Sequence, residues 1–379
     1  MSIVFGEAEL RGYEFPNLEF GNEKMSELLD SGEIELRNKP PMNRLNFFAL
    51  LFAAVATTCQ AAQPNIVLVF IDDLGWKDIG CYGNEGVQTP NIDRLAAGGM
   101  CFDRAYLTAA SCSPSRASIV TGRWPHANGN PDLATGALPQ AGLPWPEFFD
   151  GLDFFPHLLK EAGYYTAQSG KWHLGYHWNR AIGPATDGFD FTQPSQGSGG
   201  EGGWVGVLRN RPQDQPFFMW FASDDAHRGW AADRPKIHTP EDVTVPPYLP
   251  DTPAVRADLA AYYDEIARLD HYVGLVIDEL DRQGVLENTL VVLVADNGRP
   301  FFRSKAHIYD SGMQTPFIAH WPNRIAPGQV SESLVSAIDI APTFVAAAGL
   351  DIEGSTFQGL SLLPQFEAPD TPAHHYVFS

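Results

Sequence analysis

The chain has 379 residues, 44% of them hydrophobic, with 35 glycines and 30 prolines; this supports a large folded core with many ordered loops and excludes a disordered chain. Its 46 acidic residues against 25 basic ones give a formal charge of -21. No lysine–arginine block stands out, which speaks against nucleic-acid binding.

In chain order, residues 1–41 are acidic and polar and read as an over-extended start or a disordered leader. Met42-Asn43-Arg44, the apolar run from Leu45 to Thr57 and then Cys59-Gln60-Ala61-Ala62-Gln63 read as a secretory signal peptide cleaved near Ala61 or Ala62. Residues 63–379 are thus expected to be exported, to a periplasm or outside the cell. The apolar run is too short for a comfortable membrane span.

Asn65 to Ile71 is apolar on both faces, as a central buried strand should be, and ends at Asp72-Asp73. Thr89-Pro90 opens a helix through Leu95 that stops at Gly98-Gly99. Pro114 belongs in the first turn of a helix beginning near Cys112, where backbone N–H groups would face an anion and Arg116 would add a fixed positive fork. Phe155 to Ala162 makes a short helix stopped by Gly163. Tyr164 to Gln168 is a strand running into Gly170-Lys171-Trp172-His173, and Phe217 to Ala222 is an apolar strand running into Asp224-Asp225-Ala226-His227. Gly197 to Gly203 and Pro246 to Pro253 read as loops on the substrate side or between elements. Ala254 to Gln283 is the clearest helix, with Pro253 before it, Gly284 after it and Leu259, Ile266, Leu269, Val273, Ile277 and Leu280 on one face. The strand Thr289 to Val294 follows and ends at Asp296-Asn297-Gly298. The closing Tyr376-Val377-Phe378-Ser379 reads like the opening of another strand.

Apolar runs alternating with helical patterns predict an α/β fold, a mostly parallel sheet sandwiched by helices. Ligands of such sheets bind beyond the carboxyl ends of the strands, where Asp72, Asp73, Lys171, His173, His227, Asp296 and Asn297 all fall. Any one of these is easily a strand cap, and Asp-Asn-Gly alone is a turn. The recurrence at successive strand ends is the signal. Asp72-Asp73 and Asp296-Asn297 supply hard oxygen ligands, suited to calcium or magnesium and not to zinc. Once Cys59 leaves with the signal and Cys112 is assigned to chemistry, Cys81 and Cys101 remain as either a disulfide or two buried free thiols.

The stretch from Ser111-Cys112-Ser113-Pro114-Ser115-Arg116 through Thr121-Gly122-Arg123 resembles the signature of the formylglycine-dependent sulfatases, of the alkaline-phosphatase-like superfamily. The resemblance runs from Pro64 to Phe378. It implies that Cys112 is oxidised to formylglycine by a maturation enzyme and that Asp72, Asp73, Asp296, Asn297 and the modified Cys112 hold calcium, with magnesium second. It further implies that Arg116, Lys171 and Lys305 bind the sulfate, that His227 protonates the leaving group, and that His173 deprotonates the hydrate to expel sulfate. The substrate implied is a sulfated saccharide. The acidic balance of the chain favours a pocket that reads a chain end or a small sugar over a broad basic groove. Val245 to Leu259 and Asp224 to Arg228 look most like the N-sulfoglucosamine sulfohydrolases, whereas Lys305 replaces the arginine of that pattern and matches the O-sulfatases. Phosphonate or phosphodiester hydrolysis and an inactive glycan-binding form are the competing readings. Family members normally add a small C-terminal antiparallel sheet, largely absent from this chain, so the catalytic domain is read as 63–379, either truncated at the C-terminus or a natural short form.

Overall fold

The run Asn65–Ile71 forms the first strand, β1, and every one of its residues is buried because none offers a polar face to water. The computed structural model describes residues 63–130, 151–174, 188–194, 200–230 and 235–378. The leader and signal peptide read from the sequence lie outside the described residues, as do residues 197–199 of the Gly197 to Gly203 loop.

The other strands are β2 (Met100–Phe102), β3 (Ala105–Tyr106), β4 (Tyr165–Gly170), β5 (Phe191–Pro194), β6 (Phe217–Ala222), β7 (Thr289–Ala295), β8 (Phe317–His320), β9 (Gln329–Ser331) and β10 (Val335–Ser336). Eight of them make one sheet in the order β5-β4-β6-β1-β7-β8-β2-β9, and β10 pairs with β3 apart from it. From β5 to β7 every pairing is parallel, while β8 runs antiparallel to both β7 and β2. The expected mostly parallel sheet is therefore present.

Among the described residues, the helices of seven residues or more are α1 (Pro90–Ala97), α2 (Cys112–Thr121), α3 (Phe155–Glu161), α4 (Trp204–Asn210), α5 (Pro253–Arg282) and α6 (Ile340–Ala347). Side chains alternate across a strand, so β1 feeds two cores. Ile66, Leu68 and Phe70 pack with Ile119 and Val120 of α2, Phe155 of α3 and Phe344 of α6. Val67, Val69 and Ile71 pack with Leu95 of α1, Trp204 of α4 and Leu259, Ile266, Leu269 and Val273 of α5. The apolar stripe read on α5 is thus its buried face. Its start is fixed by Pro253 and by the Thr252 hydroxyl, which accepts from the Val255 amide at 3.3 Å.

Two sequence expectations change and one open alternative is decided. The strand expected over Tyr164 to Gln168 runs from Tyr165 to Gly170, and the Tyr164 hydroxyl instead donates to the Pro64 carbonyl at 2.8 Å. Tyr376 to Phe378 do not form a strand: their rings meet edge to face at 5.3 Å, and Phe378 packs on Trp124 at 5.7 Å, so ring contacts replace a ladder partner. Cys81 and Cys101 are free thiols lying side by side. Among the described residues no helix is long and apolar enough to cross a membrane.

Phe218, fully buried, packs its ring on Phe155 at 5.1 Å and on Phe189 and Phe344 at 6.1 Å. Phe218→Ala is expected to cost about 3–5 kcal/mol, read as a lowered urea unfolding midpoint; an unchanged midpoint would remove this cluster from the core.

Candidate active site

Strands β4, β6, β1 and β7 are consecutive in the sheet, and each runs directly into polar residues at its carboxyl end. Ile71 lies abreast of Ala295, which brings Asp72-Asp73 and Asp296-Asn297 together one residue further on. The Asp296 amide continues the ladder to the Ile71 carbonyl at 3.0 Å. Asp73 then turns into the left-handed region at φ 57°, and its amide donates to Asp296 Oδ1 at 3.2 Å. Asn297 Nδ2 donates to Asp73 Oδ1 at 2.7 Å.

Cys112 opens α2 and is buried, one turn before Arg116. The fully buried Arg116 guanidinium donates through Nε to Asp296 Oδ2 at 2.8 Å and through Nη1 to the Lys171 carbonyl at 3.1 Å. It also lies over the Phe70 ring at 4.4 Å. Ligand atoms of Asp72, Asp73, Cys112 and Asp296 all fall within 4.8 Å of one another.

Gly170 ends β4 at φ 100°, where a Cβ would meet the Ala222 carbonyl oxygen at 1.7 Å, so only glycine lets the chain pass this close to β6. The next residue, Lys171, pairs its ammonium with Asp72 Oδ2. His173 follows in the left-handed region at φ 56°. After β6, His227 places Nε2 3.8 Å from Asp73 Oδ2. Lys305, on the loop after β7, places Nζ 2.6 Å from Asp73 Oδ1.

All ten residues singled out in the sequence therefore gather at one end of the sheet. A surface cleft of about 340 Å³, lined by Glu201, Tyr272, Leu275 and Arg282, is separate from them.

The electrostatics follow from burial. Burial would raise the Asp72 carboxyl, but Lys171, Arg116 and Lys305 outweigh it and hold Asp72 well below the usual range. Asp73 is pushed up to about 7, first by burial and then by the Asp72 charge. Burial, then the charges of Lys171 and Arg116, lowers His173 to about 3, so its imidazole is neutral at pH 7. Burial, then Asp296 and Asp72, pushes the Cys112 thiol far above its ordinary value. It stays protonated at neutral pH, the opposite of an activated thiolate nucleophile.

A cation fits here. Asp72 Oδ1, Asp73 Oδ2 and Asn297 Oδ1 are buried oxygens without a hydrogen-bond partner, hard donors facing one cluster.

Sequence reasoning missed the layer beneath. Tyr262 of α5 accepts from the Gly75 amide at 3.0 Å and donates to Asp78 Oδ2 at 2.9 Å, and Arg299 pairs with Asp78. The signal was indirect: a tyrosine on the apolar face of α5 and an aspartate five residues past Asp73.

The chain is similar to known proteins over most of its length. The sulfatase family profile matches residues 64–198 and 203–350. The chain is 34% identical to human N-sulphoglucosamine sulphohydrolase, over 82% of this chain and 67% of that protein. It is 31% identical to human arylsulfatase A, over 83% of this chain and 70% of that protein. The crystal structure of Ps i-CgsB superposes with a TM-score of 0.68 at 26% identity, covering 82% of this chain and 77% of that one.

Arg116→Ala would leave Asp296 buried without its cation. The expected loss is about 3–5 kcal/mol, read in the unfolding midpoint. Wild-type stability in this variant would show that the pair does not hold α2 to β7.

Proposed function

Because the chain belongs to the sulfatase family, a family of sulfuric ester hydrolases, we propose that it removes sulfate from a sulfated sugar, the N-sulfated end of a glucosamine chain being its substrate. The observation that carries the chemistry is the cluster of buried Cys112, three buried carboxylates, Arg116 and Lys171 with the partly exposed Lys305. Similarity to N-sulphoglucosamine sulphohydrolase supports the N-sulfate reading, as do the stretches Val245 to Leu259 and Asp224 to Arg228. The O-sulfate reading is supported by Lys305 and by the comparable identity to arylsulfatase A. The loop carrying Lys305 also exposes Phe302, Ile308 and Tyr309, apolar surfaces suited to the C–H faces of a sugar ring.

Asp72, Asp73, Asp296 and Asn297 would hold calcium, which tolerates an irregular oxygen cradle better than magnesium does and would neutralise charge on the sulfate oxygens. Cys112, once oxidised by a formylglycine-generating enzyme, would supply the hydrated aldehyde whose hydroxyl is the nucleophile. The remaining work falls to the chain's own side chains. Arg116, Lys171 and Lys305 balance the three carboxylates and meet the substrate's charge from fixed positions, so little reorganisation is needed as charge builds. Although burial lowers the Lys171 and Lys305 ammonium groups, the carboxylates beside them raise both on balance, and they stay charged. His173, neutral at pH 7, is in the form that accepts a proton at the nucleophile's side. His227 Nδ1 donates to the Arg228 carbonyl at 2.9 Å, since a carbonyl only accepts; in the doubly protonated ring Nε2 then carries the proton that goes to the leaving atom.

The test is inorganic sulfate release from N-sulfoglucosamine and from 6-O-sulfated glucosamine, by protein matured with a formylglycine-generating enzyme in calcium. Release from the first alone is expected; release from the second alone would make the chain an O-sulfatase. Turnover of a phosphonate ester with neither sugar cleaved would replace sulfate chemistry, and an unmodified Cys112 in protein from its native host would favour a glycan-binding role. Cys112→Ala should abolish release.

Calcium binding can be followed apart from activity. Asp73→Asn and Asn297→Ala should each weaken calcium by at least about tenfold in calorimetric titration; unchanged affinity would move the metal elsewhere.

A further inference from the structure

We propose that Arg228 is a positioning residue that sets the aim of His227 by clamping the loop after β6 to the loop that carries Lys305; this rests on the reading of His227 as the leaving-group acid. Three separate contacts fix the Arg228 side chain. Its Nε donates to the Pro300 carbonyl at 2.7 Å. Its Nη1 and Nη2 donate to the two oxygens of Asp258 on α5, at 3.0 and 2.6 Å. Its guanidinium lies against two rings, 4.6 Å from Phe301 and 5.1 Å from Trp230. Trp230 in turn donates to Asp258 Oδ1 at 2.7 Å and stacks on Phe301 at 6.4 Å.

Both ends of the clamp lead into the site. On one side, the Arg228 carbonyl accepts the hydrogen bond from His227 Nδ1, so holding the Arg228 side chain orients the imidazole and points Nε2 toward Asp73. On the other side, Pro300 and Phe301 begin the loop that delivers Lys305 to Asp73, and the Lys305 amide donates to the Arg299 carbonyl at 3.1 Å. The Arg228–Asp258 pair is substantially solvent-exposed, so it adds little to global stability. Its planar two-point geometry is what a positioning role requires, and lysine cannot reproduce it.

A misplaced acid hurts substrates in proportion to how poorly their leaving groups depart unprotonated, and this gives a readout that general destabilisation does not move. The experiment measures kcat/KM of the matured enzyme on aryl sulfates whose phenols range from 4-nitrophenol to phenol, for wild type, Arg228→Ala, Arg228→Lys, Asp258→Asn and His227→Ala. General acid catalysis contributes about 10²–10⁴-fold, so Arg228→Ala should lose about 30–100-fold on phenyl sulfate and under about threefold on 4-nitrophenyl sulfate. Arg228→Lys and Asp258→Asn should show smaller steepening of the same sign, with melting temperatures close to wild type. Asp258→Asn changes the residue of α5 that holds Arg228 and so separates positioning from direct substrate contact. Equal losses on every ester in the Arg228 and Asp258 variants, with His227→Ala steepening as expected, would overturn the positioning role alone. No steepening in His227→Ala would overturn the acid assignment itself, and the positioning role with it.

Discussion

Three carboxylates, those of Asp72, Asp73 and Asp296, lie fully buried at the ends of two neighbouring strands, and the rest of the structure is arranged around the need to neutralise them. A buried, unpaired carboxylate costs several kcal/mol, so each must find a cation. Arg116 comes from α2, Lys171 from the end of β4 and Lys305 from the loop after β7. No single element could supply them. The same requirement places Cys112 one helical turn from Arg116 and hence in the cluster. Balanced by three cations and still offering unpaired oxygens, the cluster can take a divalent ion and then attract an anion.

Backbone strain is concentrated in the same place. Among the described residues the non-glycine positions with positive φ are Asp73, His173, Arg303 and Ala306. The first two carry site side chains and the other two flank Lys305. Each such residue costs on the order of 1–3 kcal/mol and persists only where its surroundings hold it. The holding contacts are visible: the Asp73 amide is fixed by Asp296, and the Ala306 amide donates to the Ala110 carbonyl at 2.7 Å. That last bond ties the Lys305 loop to the approach to Cys112.

The hydrophobic cores serve this geometry by fixing the strands and the long helix. Helix α5 buries Leu259, Ile266, Leu269 and Val273 and, from the same helix, directs Tyr262 to the Asp73–Gly75 turn and Asp258 to Arg228. Packing and site positioning are therefore properties of one element. Asp78, held by Tyr262 and Arg299, joins the loop after β1 to the loop after β7 beneath the carboxylates.

Much of this was legible in the sequence, because strands buried on both faces must be apolar throughout and because the first polar residues mark where they stop. Asn65 to Ile71, Phe217 to Ala222 and Thr289 to Val294 were readable for that reason, as were the chemistry-bearing residues just past them. The motif around Cys112 marked its helix start. The order β4-β6-β1-β7, the pairing of Arg116 with Asp296, the network of Asp78, Tyr262 and Arg299, and the clamp made by Arg228 were decided only in the tertiary structure. The physical reason is one of range. Periodicity and turn chemistry act over a few neighbouring residues, whereas Arg116 and Asp296 stand 180 positions apart and meet only after the sheet has assembled.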